Sequence, residues 1–495
     1  MRISKLYALL AACVVTVPVC AQVDPFEEFR KQIEQESSGF ESRVNRDFED
    51  FRKKVNAEYA AAVEKSWKEF QALKKIPVPK EKRVPPVIFK GKKDQPVKNT
   101  PKPIEEVIPV VQPQPQPQPV APVEEVPDPV AEYFRFEYCN TPLKVRLGKE
   151  QQFVVTSTNE KAIAKIWKTL SGEAYNNVLK DCLQIRSEHK LCDWAYLQML
   201  KRLSTAYFGN RHNESVLLMA FLYSQSGYKM RLARLNNQIY LLYASDYTIY
   251  DQRYWVLDGV KYYPLDCDAE EVNICSATFP DERPLSLQIS SEQLFQMQNS
   301  KTRRLQSTKY PDVQAVVQTN ENLIRFFNDY PSSMINDDFG TRWAMYANTA
   351  LSAQARESLY PALKRAVAGK SQYEGVSRIL NFVQTSLVYD YDDKVWGHDR
   401  AFFADETLYY PYCDCEDRSI LFSRIVRDLL GLDVVLVYYP GHLAAAVHFT
   451  ENVTGDYLNV QGDRYVICDP TYIGAPVGST MPNMNNASAK VVLLK

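Results

Sequence analysis

Residues Tyr412-Cys413-Asp414-Cys415-Glu416-Asp417-Arg418-Ser419-Ile420-Leu421-Phe422 open a segment in which Ile420, Leu421, Ile425, Leu429 and Leu430 recur at helical spacing before Gly431. That period predicts an amphipathic helix over 416–430, with Gly431 as its C-terminal stop. Asp414 stands where an N-cap would, and Asp417 follows three residues later as in a capping box. Cys415 therefore falls at the positive end of a helix. There a thiol pKa of about 8.5 can drop to roughly 3.5–7.5 if an imidazolium lies close.

Downstream, Val434–Tyr439, Leu443–Phe449 and Tyr465–Cys468 are rich in β-branched and apolar residues with turn residues between them, and read as adjacent antiparallel strands. His442 heads one of them and Asp469, in Asp469-Pro470-Thr471, ends another; each lies 27 residues after the preceding member of the set. A cysteine on a helix followed by a histidine and an aspartate on neighbouring strands is the order that a thiol nucleophile, its base and the base's orienting group require. Cys415, His442 and Asp469 are thus the candidate catalytic residues. Each also has a plainer reading. Cys413 would compete with Cys415, His448 is a rival base, and Asp-Pro-Thr commonly only makes a turn. The Cys-x-Cys pair has no second Cys or His pair at ligand spacing, so no thiolate metal site is expected.

Outward from this region, 495 residues exceed what one hydrophobic core usually serves, and 45% hydrophobic residues allow several. Fifty-nine basic and 60 acidic residues leave a net charge of -1, which argues against a nucleic-acid binder. Residues 1–21, with Arg2 and Lys5 before the apolar run Leu6 to Val19, read as a signal peptide cleaved before Gln22. The product is then secreted or periplasmic. Leu10-Ala11-Ala12-Cys13 fits a lipoprotein pattern but leaves too short an apolar core before its cysteine. No other apolar run approaches the roughly 20 residues of a membrane span. Of the eight remaining cysteines, Cys182 with Cys192 and Cys267 with Cys275 are the local pairs that an oxidising compartment could bridge.

Residues 22–75 carry an eleven-residue apolar repeat (Phe29, Phe40, Phe51, Ala62; Ile33, Val44, Val55; Phe48, Tyr59, Phe70), which predicts a long amphipathic helix. Its stripe needs cover, either from the protein's own body or by self-association. Residues 76–130 are proline-dense and read as an extended spacer. From 131 the chain turns globular, and a shift of 204 lays Ser215-Val216-Leu217-Leu218 on Ser419-Ile420-Leu421-Phe422 and Gly227 on Gly431. Residues 131–283 are therefore expected to repeat 346–495, with Arg211 and Gln238 where Cys415 and His442 stand. Residues 284–345 read as a strand-rich insert. Further upstream the shift is 182, so the second copy alone carries 22 extra residues before Cys415. This aromatic loop holds Trp396, Tyr409, Tyr410 and Tyr412, the expected substrate contacts.

With these residues in view, the region from about Ala355 to Tyr472 resembles the transglutaminase-like superfamily of papain-fold thiol enzymes. The resemblance rests on Cys415 with Asp417 and Gly431, on His442 heading a strand, and on Asp469-Pro470-Thr471. Three features depart from it: Asp414 replaces a common glycine, Leu443-Ala444 replaces Ala-Trp, and Cys413 is extra. The run Asp414-Cys415-Glu416-Asp417 also looks like that of bacterial transglutaminase-like cysteine peptidases, some of which bind calcium. The resemblance implies an α+β fold with a papain-like core in which the cysteine helix packs on an antiparallel sheet. It implies Cys415 as nucleophile, His442 as general base and acid, and Asp469 as orienter, acting on a protein or peptide amide with no cofactor beyond that calcium. The oxyanion donors expected are the Cys415 backbone N–H and a side chain of the aromatic loop. Hydrolysis is favoured because water is abundant; cross-linking to a lysine amine and a non-catalytic scaffold are the alternatives.

Overall fold

The structure, a computed structural model, describes residues 47–80, 82–91, 107–110, 112, 114–119, 121–127, 132–335 and 337–495. The signal-like residues 1–21 and the apolar repeat before 47 lie outside the described residues.

Helices and antiparallel sheets combine in an α+β architecture built on two six-stranded sheets. The first runs Trp67–Gln71, Glu271–Cys275, Met230–Leu235, Gln238–Ser245, Val260–Pro264, Trp255–Leu257. The second runs Val107–Ile108, Lys490–Leu493, Val434–Tyr439, His442–His448, Asp463–Cys468, Tyr457–Val460. Both have one connectivity: an N-terminal segment at one edge, then the unit's last strand, then two consecutive strands, then a hairpin. The central strands Met230–Leu235 and Val434–Tyr439 lie 204 residues apart at both ends. Each pair of central strands follows a helix, His212–Gln225 in one unit and Cys415–Leu430 in the other. A second helix precedes that, Asp193–Phe208 or Gln372–Ser386. Gly209 to Arg211 alone separates the two helices of the first unit. In the second, 387–414 intervene with two short helices and the parallel strands Val388–Tyr389 and Tyr412–Cys413.

The Cys415–Leu430 helix forms as its sequence dictates. Asp414 accepts from the Glu416 N–H at 2.9 Å, Asp417 accepts from the Asp414 N–H at 3.0 Å, and Gly431 ends the helix at φ 63°. Its Leu421, Phe422, Ile425 and Val426 pack with Ala445 and Val447 of the central strand, whose alternate residues Ala444 and Ala446 face the opposite core. Small side chains on that strand let the helix approach, and Ser419 donates to the Leu443 carbonyl at 2.9 Å.

Four expectations are corrected. The N-terminal helix covers 47–63 and then gives way to the strand Trp67–Gln71, which pairs with Glu271–Cys275. The Trp67 indole caps the Val63 carbonyl at 2.7 Å, so the chain turns where the repeat alone would have continued. This helix docks on the body through Val55, Tyr59, Ala60 and Val63 while Phe48 and Phe51 stay 38% and 45% exposed. Asn56 fastens it by bonding Gln225 and Trp167.

The described residues of the proline-dense segment are no free spacer. Its apolar residues Val84, Val87, Phe89 and Val107 pack on the second sheet, and Gln116 donates to the Leu191 carbonyl at 2.7 Å. Extended polyproline-type backbone leaves its N–H and C=O groups available, and here sheet edges and side chains take them. Residues 284–345 hold strands Arg303–Gln306, Gln314–Val317 and Ser333–Ile335 but also helices Glu321–Asn328 and Thr341–Asn348. Leu285, Leu287 and Ile289 alternate because they are buried beside the first unit, without a ladder of their own. All eight cysteines are free thiols, so neither local bridge is present.

Tyr59 lies between Trp167 and Phe279, with ring centroids 4.6 and 4.1 Å away. Tyr59→Ala should lower unfolding free energy by about 3–5 kcal/mol in urea titration, the cost of emptying a buried aromatic site. An unchanged midpoint would mean that the helix is not docked on the body.

Candidate functional site

Cys415 occupies the first position of its helix, and the adjoining strand pair delivers His442 and Asp469. His448, the rival base, instead bonds the Arg464 carbonyl at 3.1 Å at the far end of the same strand. The His442 Nε2 and Asp469 Oδ2 are 2.8 Å apart. The turn Asp469-Pro470-Thr471 does more than reverse the chain. Its Asp469 Oδ1 accepts the N–H groups of Thr471 at 2.8 Å and Tyr472 at 3.2 Å, which leaves Oδ2 facing the imidazole. Because Nε2 is taken, Nδ1 is the nitrogen left for chemistry, and it is buried without a hydrogen-bond partner. Among the groups acting on the thiol is the backbone N–H of Leu443, the residue that follows His442. Cys415, His442 and Asp469 are 0%, 1% and 3% exposed.

Gln384, on the helix Gln372–Ser386, pins the aspartate loop by donating to the carbonyls of Asp469 at 3.0 Å, Tyr472 at 2.8 Å and Ala475 at 3.2 Å. Arg418 holds the Leu387 and Gln384 carbonyls at 2.8 and 3.2 Å, fixing the start of the inserted loop.

A dense acidic cluster surrounds the helix start. Asp392, Asp399 and Glu416 place ligand-type oxygens within 4.8 Å of one another, and Asp414 and Asp417 stand beside them. Two guanidinium groups answer them. Arg342 pairs with Asp399 at 2.7 Å and Glu416 at 2.9 Å; Arg83 pairs with Asp399, with Glu416 at 3.0 Å and with Asp414 at 3.5 Å. With these cations seated, Asp399, Glu416 and Asp414 each have a guanidinium partner.

Burial, followed by the charges of Asp414 and Glu416, pushes the Asp392 carboxyl up to about 9. Burial and Glu416 push Asp414 up to about 7. Asp399 goes the other way: burial works upward, but Arg342 and Arg83 outweigh it. The Cys415 thiol is driven well above its ordinary range, first by burial and then by Asp414, against opposing pulls from Arg83 and the Leu443 N–H. In this conformation it is a neutral thiol.

Of the four expected substrate contacts, Trp396, Tyr409 and Tyr410 pack within the inserted loop. Trp396 packs on Tyr410 at 4.7 Å and Phe402 at 5.7 Å, with Arg400 over the Trp396 ring, and Tyr410 also touches Tyr409. Tyr412 is 40% exposed on the short strand before the thiol. Tyr389 and Tyr391 meet edge to face at 5.5 Å, and burial, followed by the charge of Cys415, pushes both hydroxyls up. The strand of Tyr389 pairs with Tyr412 and Cys413, and its buried hydroxyl has no hydrogen-bond partner. Tyr389 belongs to the inserted aromatic loop that the sequence singles out; sequence reading missed Gln384, Arg342 and Arg83. The signal for Arg83 is the apolar set Val84, Val87, Ile88 and Phe89 following it among prolines.

In the first unit the corresponding positions do other work. Arg211 bonds Gln152, Gln238 accepts from Tyr240 at 2.6 Å, and Asp266 pairs with Lys201 at 2.6 Å. Compared with protein-family models, curated proteins and solved structures, the chain matches none.

The folded Asp392 carboxyl keeps its proton to about pH 9, while an unfolded aspartate releases its proton near 3.9, so folding stability falls as pH rises between those values. Asp392→Asn, which still offers an oxygen to the Arg400 N–H, removes that loss. Its Tm should exceed the parent's at pH 8 and match it near pH 4; an equal difference at both pH values would contradict the raised carboxyl.

Proposed function

We propose that the second unit is a transglutaminase-like, papain-type catalytic domain and that the chain is an exported thiol peptidase or amidase. The observation that carries the reading is the His442 ring. Asp469 holds its Nε2 at 2.8 Å, its buried Nδ1 has no partner, and the N–H of the next residue, Leu443, acts on the thiol of Cys415 at a helix start. An imidazole fixed in this way can take the thiol proton on Nδ1 while the aspartate stabilises the resulting cation.

The sulfur then attacks an amide carbonyl, and the tetrahedral oxyanion forms beside the Cys415 N–H and the Tyr389 hydroxyl. His442 returns the proton to the leaving amine as the C–N bond breaks, leaving a thioester on Cys415. Water, deprotonated by His442, adds to the thioester and releases the acid and the free thiol. Residues 131–283 are on this reading a degenerate copy, supported by the common strand order and the 204-residue offset of the central strands. The signal-like start supports export. Among the described residues no helix is long and apolar enough to cross a membrane.

Alkylation by iodoacetamide at pH 6 separates an imidazole-paired thiol from ordinary ones. Burial raises the partly exposed competitors Cys139, to about 12, and Cys267, so both should be inert there. Cys415, buried and neutral in this conformation, should react slowly in the native chain, and His442→Ala should slow it about tenfold or more again. A Cys415 rate indifferent to His442→Ala would falsify the thiol-imidazole reading.

A further inference from the structure

We propose that residues 82–89 lie along the track of a polypeptide substrate, and that the acidic pocket filled by Arg83 is a subsite for a cationic side chain of that substrate. This rests on the thiol-enzyme reading above and names its substrate class.

The backbone of the segment is held as an extended peptide is held in a cleft. The Val84 N–H donates to the Gly441 carbonyl at 3.0 Å, one residue before His442. Val87 and Ile88 pair in parallel with Tyr472 and Ile473, just beyond Asp469, and the Phe89 N–H donates to the Ile473 carbonyl at 2.9 Å. Main-chain bonds of this kind bind a strand whatever its side chains, while pockets choose among them. Gly441 is shaped for such a passage: at φ +76°, a Cβ there would come within 2.2 Å of the Lys82 carbonyl oxygen. Alongside Pro86, Ile88 and Phe89 runs a groove of about 680 Å³ whose other walls include Leu387, Tyr389, Arg418 and Ile473.

The side chain that enters the pocket is Arg83. Without it, Asp392, Asp399, Asp414 and Glu416 would face Arg342 alone, and uncompensated buried charge is costly. Glu416 Oε1 is buried with no hydrogen-bond partner and Asp414 Oδ2 has the Arg83 Nε at 3.5 Å, so the pocket offers acceptors to a donor-rich group. A guanidinium, planar and with five N–H donors, suits such a pocket better than a compact ammonium. The thiol, imidazole and carboxylate lie fully buried while the segment is in place. Substrate therefore enters as residues 82–89 leave, and the segment inhibits in cis by occupying the substrate's position.

The test uses the full chain with Cys415→Ser to silence chemistry, and a fluorescein-labelled octapeptide of the 82–89 sequence. Chains in which the segment is loosened by Arg83→Ala, or by Val84→Pro, which removes the N–H bonded to Gly441, should bind this peptide about tenfold more tightly than the chain with its native segment. Replacing the peptide's arginine by alanine should weaken binding about tenfold. In the Cys415 chain, Val84→Pro should also speed alkylation of Cys415 about tenfold over the parent. Val84→Pro keeps the result interpretable if Arg83→Ala, with its uncompensated acids, fails to fold.

Equal binding of the arginine and alanine peptides, or no binding to either loosened chain, would overturn the proposal. So would protection of the Arg83→Ala chain against thermal unfolding by calcium alone and not by the peptide, which would make the pocket a metal site. If arginine-dependent binding holds but Cys415 alkylation is indifferent to His442→Ala in every chain, the thiol-enzyme reading fails and the cationic subsite stands.

Discussion

Five carboxylates gather around the first turn of one helix, and the fold has to neutralise them in a region closed to water. Asp414 and Asp417 are there because they cap the helix, Glu416 because it follows Cys415, and Asp392 and Asp399 because an inserted loop folds across the helix start. Two arginines from distant segments and the proton retained on Asp392 compensate them. Charge buried at this density holds together only while its partners stay. The Thr341–Asn348 helix, the inserted loop, the proline-dense segment and the thiol helix are therefore tied through one cluster. A single change there, the departure of Arg83, alters burial, charge and access at the thiol together. That coupling makes a quiescent, neutral Cys415 consistent with a reactive one in the same chain.

The two units show how one scaffold can carry or lack this chemistry. Both sheets have the same order, and both place a helix ahead of the two central strands. Only the second unit has residues 387–414, which supply Tyr389, Asp392 and Asp399, and only it has cysteine and histidine at the helix start and strand head. The first unit spends its central helix on packing: twelve of the fourteen residues of His212–Gln225 are buried. The N-terminal helix closes over part of that unit, with Tyr59 packed against Trp167 and Phe279. In the proposed enzyme the first unit is a structural partner, bearing the core on which the second is built.

Much of this was legible in the sequence because it rests on local rules. The capping residues Asp414 and Asp417, the 3.6-residue period and Gly431 give the thiol helix, and the alternating apolar runs give the strands that bring His442 to Asp469. The repeat offset and the extra loop also follow from residue spacing. What was not legible depends on tertiary choices that composition does not encode. Prolines in 76–130 indicate extended backbone, but extended backbone can cross solvent or lie on a sheet edge, and Val84, Val87 and Phe89 decide that it lies on the sheet. An aromatic loop presents many rings, and pairing of Val388–Tyr389 with Tyr412–Cys413 selects Tyr389 over Trp396, Tyr409 and Tyr410. Arg342 sits in an unremarkable helix and gains its role only from Asp399 and Glu416, 57 and 74 residues away.

The central claim is that sulfur and imidazole act as one nucleophilic pair, and acyl transfer to the sulfur tests it most directly. The full-length Val84→Pro chain, quenched with acid during incubation with p-nitrophenyl acetate, should carry one hydroxylamine-labile acetyl group mapped to Cys415 by mass spectrometry and lost when His442→Ala is added. Acetyl groups scattered over lysines and other thiols, or an equal Cys415 adduct in His442→Ala, would contradict it.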